Sequence, residues 1–433
     1  MGNIVSYLEE YGHLDFSEMS FNEVDALILS QFAYLKFDGL IPKITEEEEA
    51  VSFLHIAGHM DELVVFSDER YEKDNRLLFD GMLNCRRFSS MRFNYYAHII
   101  DEAVETQFCA FTCFLEEALP VVVYRGTDEN FVGWKEDFNM AFKKPVTGQH
   151  LAKLYLNQVG SLFFTDFIVC GHSKGGNLAV YSSMNTYPDI RNRIKRIYSF
   201  DGPGFRPEIL KSEDYDSITD KIEKYIPKSS LVGMLLEEHE DYLVVDSHSV
   251  GVLQHNPFTW RVKDAAFVGK EDVYKSSQFM NEALNEWILT LNDEQLEVFG
   301  DTLFYILEGC EMKNLVEITH DWKKGINNML RASRELEEDT KDKIYEILRI
   351  LSDIVKENAK ENFDSIKDSI KESAKENFDS IKDSIKESAK ENFGSIKDSI
   401  KENAKENFGS IKDSIKENAK ESFDNIKENL TKR

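Results

Sequence analysis

The sequence is short of basic residues and has no long apolar run, and both scarcities exclude classes of protein. Its 433 residues include 52 Lys and Arg against 79 Asp and Glu, a formal net charge of −27. This balance excludes the basic footprint of a nucleic-acid-binding protein. The longest apolar runs are strand-sized, whereas a membrane-spanning helix needs about 18 apolar residues. No basic segment followed by an apolar stretch opens the chain, so the sequence predicts a cytoplasmic protein, with export by a signal-less route left open.

Cysteine is scarce as well. The five cysteines follow no regular spacing, as expected of a protein from a reducing compartment. Cys109 and Cys113 lie in one predicted strand, where four residues span about 13 Å, too far for a disulfide. We therefore interpret all five cysteines as free thiols. No group of His and Cys residues has the spacing of zinc ligands, so the sequence predicts no metal site.

The C-terminal region is repetitive. Five copies of a fifteen-residue unit run from Lys356 to Leu430. Apolar residues recur three and four positions apart, as at Ala359, Phe363 and Ile366, so each unit makes four turns of about 3.75 residues. This period predicts an amphipathic helix whose supercoil, where one forms, is right-handed. From residue 356 onward 17 basic and 18 acidic residues nearly balance. We expect this helix to serve as a solvated spacer, to self-associate through its apolar stripe as a coiled coil, or to contact a lipid surface.

The rest of the chain divides into two patterns. In residues 281–355 apolar residues recur at helical spacing. In residues 1–280 short β-rich runs alternate with helical patterns, which is typical of an α/β fold with a mostly parallel sheet flanked by helices. The predicted strands are Phe108–Leu115, Pro120–Tyr124, Asp166–Cys170, Ile194–Phe200, Ile222–Ile226 and Tyr242–Asp246. The sequence thus predicts an α/β domain at 1–280, a helical region at 281–355 and the repeat helix at 356–433.

One segment of the α/β region carries chemistry. The residues Gly171–Gly176, with the sequence GHSKGG, follow a predicted strand and precede a predicted helix. A G-x-S-x-G motif between a strand and a helix is the context of a nucleophile elbow. The tight turn exposes the serine hydroxyl, and the helix N-terminus offers N–H groups to developing negative charge. Ser173 is therefore the candidate nucleophile.

A serine nucleophile needs a base and an acid later in the chain. His255 follows the last predicted strand and is the candidate base, with His239 and His248 as competitors. Asp201 directly follows the first strand after the elbow helix and is the candidate acid. The alternatives are Asp246 as the acid and a purely structural turn role for Asp201.

An oxyanion hole needs two hydrogen-bond donors. One is expected from the backbone N–H of Lys174, the residue after the nucleophile. The other is expected from the loop Arg125–Asp128, which follows the strand Pro120–Tyr124. In that loop Thr127 is the candidate, through its backbone N–H and its hydroxyl.

Together these residues resemble those of the class-3 (fungal-type) lipases of the α/β-hydrolase superfamily. The likeness lies in Val122–Asp128, Trp134, Asp137, His172–Gly176 and Phe200–Pro203. More closely, the chain resembles a bacterial Mbeg-like family, through Gly171–Asn177, Ser199–Gly204 and Gln254–Pro257. The resemblance covers roughly residues 1–280. It implies an α/β-hydrolase, lipase-like fold and an acyl-ester substrate such as a glyceride or phospholipid.

Two positions depart from the class-3 pattern. Those lipases carry their triad acid after the second strand beyond the elbow, where Lys224–Ser229 of this chain has no carboxylate. This absence favours Asp201, one strand earlier. Lys174 stands where those lipases have an aliphatic residue, although a cation is disfavoured at a helix N-terminus. We expect Lys174 either to pair with a nearby acid or to meet an anionic group of the substrate. The nearby acids are Asp128, Glu136 and Asp137.

The predicted function is hydrolysis of carboxylic esters by a Ser173–His255–Asp201 triad that needs no metal or organic cofactor. One alternative is another acyl transfer on the same residues, such as that of a peptidase or an acyltransferase. A different class of function is a catalytically inactive scaffold or binding protein that acts through the C-terminal repeat helix. Convergence of the serine, the histidine and an acid discriminates between an enzyme and a scaffold.

Overall fold

The computed structural model describes residues 2–309, apart from residues 68–70, 102, 116–118, 129–130, 141–144, 231, 237–241, 250, 271–272 and 274. Cys310 and the predicted repeat helix at 356–433 lie outside the described residues. The other four cysteines are free thiols, as the sequence predicted, and Cys109 and Cys113 lie in one strand.

A mixed sheet forms the centre of the described part of the chain. The strands are β1 Val51–Ser52, β2 Arg92–Asp101, β3 Thr106–Phe114, β4 Pro120–Tyr124, β5 Phe167–His172, β6 Ile194–Phe200, β7 Ile222–Pro227, β8 Tyr242–Val245, β9 Val262–Lys263, β10 Ala266–Phe267 and β11 Gly269–Lys270. Nine of them form one sheet in the order β1-β2-β3-β4-β5-β6-β7-β8-β11, and β9 and β10 form a separate hairpin. Strands β4 to β8 are parallel, while β1, β2, β3 and β11 pair antiparallel. The fold is therefore α/β with a largely parallel central sheet, as the sequence predicted.

All six predicted strands are present, whereas β2 was not predicted from the sequence. The pairing of β2 with β3 shifts register between Asn94 and Ala97, and Tyr95 has a φ of 59°. A bulge of this kind interrupts the two-residue alternation of side chains by which a strand is recognised in a sequence. The short strands β1, β9, β10 and β11 offer too few residues for any alternation.

Helices surround the sheet. They are α1 Ile4–Tyr11, α2 Glu23–Phe32, α3 Phe53–His59, α4 Glu62–Val65, α5 Glu72–Asn84, α6 Arg86–Ser89, α7 Phe131–Asn139, α8 Thr147–Gly160, α9 Lys174–Asn185, α10 Pro188–Arg191, α11 Pro207–Leu210, α12 Glu213–Asp216, α13 Lys275–Thr290 and α14 Asp293–Gly309. Helix α2 begins at a reciprocal capping box formed by Asn22 and Asp25.

Alternate side chains of each strand pack on opposite faces of the sheet. On β4, Val121 and Val123 face a core shared with α1, α2 and α5, whereas Val122 and Tyr124 face α8 and α9. A buried ion pair ties the N-terminal helices together, with Arg87 Nε 2.7 Å from Asp25 Oδ1. The helices thus cover both faces and leave the carboxyl edge of the parallel strands to the loops.

The last two described helices, α13 and α14, pack against Leu236 and against α7. Trp287 and Leu296 of α13 and α14 form a small apolar cluster with Leu236, and Phe138 of α7 packs against it. The predicted boundary at residue 280 falls within α13, and the division into domains stays a prediction. Within the described ranges, no helix is both long and apolar enough to cross a membrane.

Candidate active site

The turn between β5 and α9 places Ser173 at the carboxyl edge of the sheet. Its backbone has φ 58° and ψ −131°, a combination that L-residues rarely adopt. A Cβ atom at Gly175 would lie 2.3 Å from the carbonyl oxygen of Tyr124, so only glycine lets α9 approach β4 this closely. The strained serine and the close packing of the helix are the geometry that the motif predicted.

His255 and Asp201 meet although 54 residues separate them. The His255 Nδ1 atom lies 2.6 Å from Asp201 Oδ2. Because a carboxylate accepts, Nδ1 carries the proton and Nε2 is left as the acceptor nitrogen of the ring. Asp201 is 1% exposed, and its Oδ1 accepts from the Ser230 hydroxyl at 2.5 Å and from the Gly233 N–H at 3.1 Å. The acid is thus held by three donors, one of which is the histidine.

The competing residues lie elsewhere or have other partners. Asp246 Oδ1 pairs with Lys228 Nζ at 2.5 Å, and its Oδ2 lies 3.5 Å from Arg261 Nε. His248 is exposed, and His239 lies outside the described residues. The structure therefore brings Asp201, and not Asp246, to His255.

His172 supports the backbone of His255. Its Nε2 lies 2.9 Å from the His255 carbonyl oxygen, and its Nδ1 lies 2.9 Å from the Tyr34 hydroxyl. A carbonyl accepts only, so Nε2 must carry the proton and Nδ1 accepts from Tyr34. The two imidazole rings are 4.6 Å apart, centroid to centroid. The last residue of β5 thus ties the loop of the candidate base to the N-terminal region.

Among the described contacts, no hydrogen bond joins the Ser173 hydroxyl to the His255 ring. Ser173 follows His172, whose ring packs against that of His255. In enzymes that use this pair, the bond often tightens only when substrate binds. The Asp201–His255 half of the predicted triad is therefore joined, and Ser173 is connected to it through His172, the residue before it in the chain.

The two predicted oxyanion donors belong to two different elements, the first turn of α9 and the loop after β4. Lys174 is the first residue of α9, where backbone N–H groups have no partner inside the helix. Thr127 follows β4, the strand next to β5, and its hydroxyl donates to Asp137 Oδ2 at 2.6 Å. Because that hydroxyl is engaged, the backbone N–H of Thr127 is the group that this residue offers to an oxyanion.

The side chain of Lys174 pairs with an acid, which is the first of the two roles that the sequence left open. Its Nζ lies 3.0 Å from Glu136 Oε2 and 3.9 Å from Asp137 Oδ1. Lys174 and Glu136 are each 1% exposed. Burial raises the pKa of Asp137 to about 6, against the lowering effects of Lys174 and of the Thr127 hydroxyl. The neighbourhood of the oxyanion donors is therefore rich in buried charge.

Sequence reasoning did not single out Tyr34 or the hydrogen bonds that Glu136 accepts. Tyr34 lies 138 residues from His172 in a region that carries no motif, so no pattern signals it. Glu136 was one of three acids near Lys174 and had no distinguishing feature. In the part of the chain that the structure describes, no group of three or more His, Cys, Asp or Glu side chains is arranged to hold a metal ion.

Comparison with known proteins places the chain in a family. Residues 82–305 match the Mbeg1-like family, and the chain belongs to it. Among solved structures it is similar to M37 lipase at 13% sequence identity, over 49% of this chain and 70% of that one. The TM-score of that likeness is 0.30, which is too low to support a conclusion about fold or activity. No curated protein matches the chain.

Proposed function

We propose that this protein is a serine hydrolase of the α/β-hydrolase fold that cleaves carboxylic esters, as a lipase, esterase or phospholipase does. The observation that carries the proposal is the backbone of Ser173, held at φ 58° and ψ −131° between a parallel strand and a helix. A structural turn has no need of a strained serine at this point, whereas a nucleophile elbow requires one. The hydrogen bond from His255 to Asp201 at the same edge adds the base and its orienting acid.

The reaction uses groups of this chain alone. Ser173 Oγ attacks the acyl carbonyl carbon while His255 Nε2 takes the hydroxyl proton. Asp201 stabilises the imidazolium so formed and holds its tautomer. The oxyanion accepts hydrogen bonds from the backbone N–H groups of Thr127 and Lys174. The intermediate collapses as His255 protonates the leaving alkoxide, and water then releases the acid from the acyl-serine by the same steps.

The ammonium group of Lys174 does not select the substrate. It is buried, 1% exposed, and donates to Glu136 and to the Gln107 carbonyl at 2.8 Å. A paired and buried cation offers no charge to an anionic head group. The proposal therefore names an acyl ester without requiring that it be anionic.

Labelling with a fluorescent fluorophosphonate tests for an activated serine. Wild type and Ser183→Ala should label, because Ser183 is a buried serine of the same helix that bonds only to a backbone carbonyl in the described contacts. Ser173→Ala should not label. Wild type that folds yet stays unlabelled, in buffer and in detergent micelles alike, would overturn the proposal and leave a non-catalytic scaffold as the better account.

A further inference from the structure

Both candidate oxyanion donors are held by the same helix. Consecutive carboxylates of α7 reach them, because Glu136 Oε2 accepts from Lys174 Nζ at 3.0 Å and Asp137 Oδ2 accepts from the Thr127 hydroxyl at 2.6 Å. Thr127 belongs to the loop after β4 and Lys174 to the first turn of α9. Two separate elements thus share one support.

Glu136 is the better bonded of the two acids. Its Oε1 accepts from the Thr106 hydroxyl at 2.7 Å and from the Gly148 N–H at 2.6 Å. Its Oε2 accepts from the Gln107 N–H at 3.0 Å in addition to Lys174. Four donors from β3, α8 and α9 therefore surround a single carboxylate that is 1% exposed. Such a group has one low-energy position, and the side chain of Lys174 has to follow it.

The ion pair is hard to explain as a source of stability. Two buried charges lose their hydration, and apolar side chains of similar size often serve folding as well or better. The cation also lies in the first turn of a helix, where the helix dipole disfavours it. An aliphatic side chain at this position would fill the space without either cost. The pair does anchor the side chain of Lys174, the residue directly after the nucleophile.

We propose that Glu136 is a positioning residue for ester hydrolysis, which holds the backbone N–H of Lys174 through the buried ion pair while Asp137 holds Thr127. This inference rests on the proposed function. An oxyanion donor is effective only within a narrow range of positions. It must lie about 3 Å from the place that the oxyanion occupies in the transition state, which differs from the place of the carbonyl oxygen in the bound substrate. A displaced donor weakens binding of the transition state while leaving substrate binding nearly intact.

The test is the kinetics of Glu136→Gln on a soluble p-nitrophenyl ester, with the full chain. The amide keeps one acceptor oxygen but turns an N–H₂ group toward Lys174 or the Gln107 N–H. We expect kcat to fall by about 10- to 100-fold with KM within about twofold of wild type. The matched control is Asp25→Asn. Asp25 forms the other fully buried ion pair described above, with Arg87, and it lies outside the proposed catalytic machinery. Both variants should melt at lower temperature, and only Glu136→Gln should lose kcat per folded molecule.

A second variant covers the case in which Glu136→Gln does not fold. The double change Lys174→Met with Glu136→Gln removes both charges of the pair, so that neither partner is left as an unpaired ion. It should show the same loss of kcat at unchanged KM. An unchanged kcat in a folded variant would overturn the inference, and so would an equal loss of kcat in Asp25→Asn, which would indicate general loosening. Wild type inactive toward both the ester and the fluorophosphonate would instead refute the proposed function.

Discussion

Replacing Asp137 by asparagine should stabilise the protein, although the residue lies beside the candidate oxyanion hole. Burial raises the pKa of the Asp137 carboxyl from 3.8 to about 6, despite the nearby Lys174 ammonium and the hydrogen bond from Thr127. Glu136 adds to the rise, and His255 opposes it. Ionised Asp137 is thus less favourable in the folded chain than in the unfolded one.

The direction and size of the stability change follow from the linkage between proton binding and folding. The folded state binds the proton more tightly, so the contribution of Asp137 to stability is fully present below pH 3.8 and is lost as pH rises through about 6. A difference of about two pKa units corresponds to about 3 kcal/mol above that window. Because a quarter of the side chain is exposed (25%), solvent lowers this figure, and about 3 kcal/mol is the upper limit.

Asparagine removes the charge and keeps an oxygen to accept from Thr127. We therefore expect Asp137→Asn to raise the free energy of unfolding at pH 8 by up to about 3 kcal/mol, and at pH 5 by about half as much. Urea unfolding at the two pH values, followed by circular dichroism, measures both differences. Asp80→Asn, at an exposed acid with a surface position on α5, should change stability little at either pH.

Two results would refute this reasoning. A variant that is no more stable than wild type at pH 8 would mean that Asp137 is not destabilised by ionisation in the fold. A gain of the same size at pH 5 and pH 8 would mean that it comes from packing and not from the carboxyl's proton.

Two further changes test the geometry of the candidate site. Asp201→Asn should lower kcat by on the order of 10⁴-fold, because the amide favours the wrong tautomer of His255. Asp246→Asn should leave kcat near that of wild type. Steady-state kinetics on one ester compares the two variants. Gly126→Ala should cost about 1–3 kcal/mol of stability in a melting assay and reduce kcat, because the added Cβ would lie 2.1 Å from the Tyr34 hydroxyl and 2.6 Å from the His172 carbonyl oxygen. Adding Tyr34→Phe to Gly126→Ala should restore only part of the loss, since the contact with the His172 backbone remains.

The central strands could be predicted because their sequence follows from their environment. Strands such as Pro120–Tyr124 and Ile194–Phe200 are wholly or largely buried and rich in apolar side chains, and the sequence predicted both with the observed bounds. A strand with both faces covered has little room for polar residues. The outer strand β2 differs, since its second half is exposed and a bulge breaks its alternation. Its pairing is set by β3 and not by its own pattern.

The candidate site could be predicted only where a residue is tied to a local motif or to a strand end. Ser173 and Lys174 belong to the elbow motif, and Asp201 follows a strand whose end was recognised. The preference for Asp201 over Asp246 rested on its place after the first strand beyond the elbow helix and on the resemblance to class-3 lipases, whose acid position has no carboxylate in this chain. The structure adds a physical reason, because Lys228 and Arg261 already engage Asp246. The acid that pairs with a buried lysine is determined by how three elements pack together. No residue spacing in the sequence predicts that packing.

The site also depends on residues that precede the family match. That match begins at residue 82, yet Tyr34 donates to His172, and His172 in turn donates to the carbonyl of His255. Tyr34 follows α2, a helix whose side chains are buried against the sheet. Tyr34 is therefore part of the support of the candidate base, and a chain that began near residue 82 would lose both one face of its core and the group that orients His172.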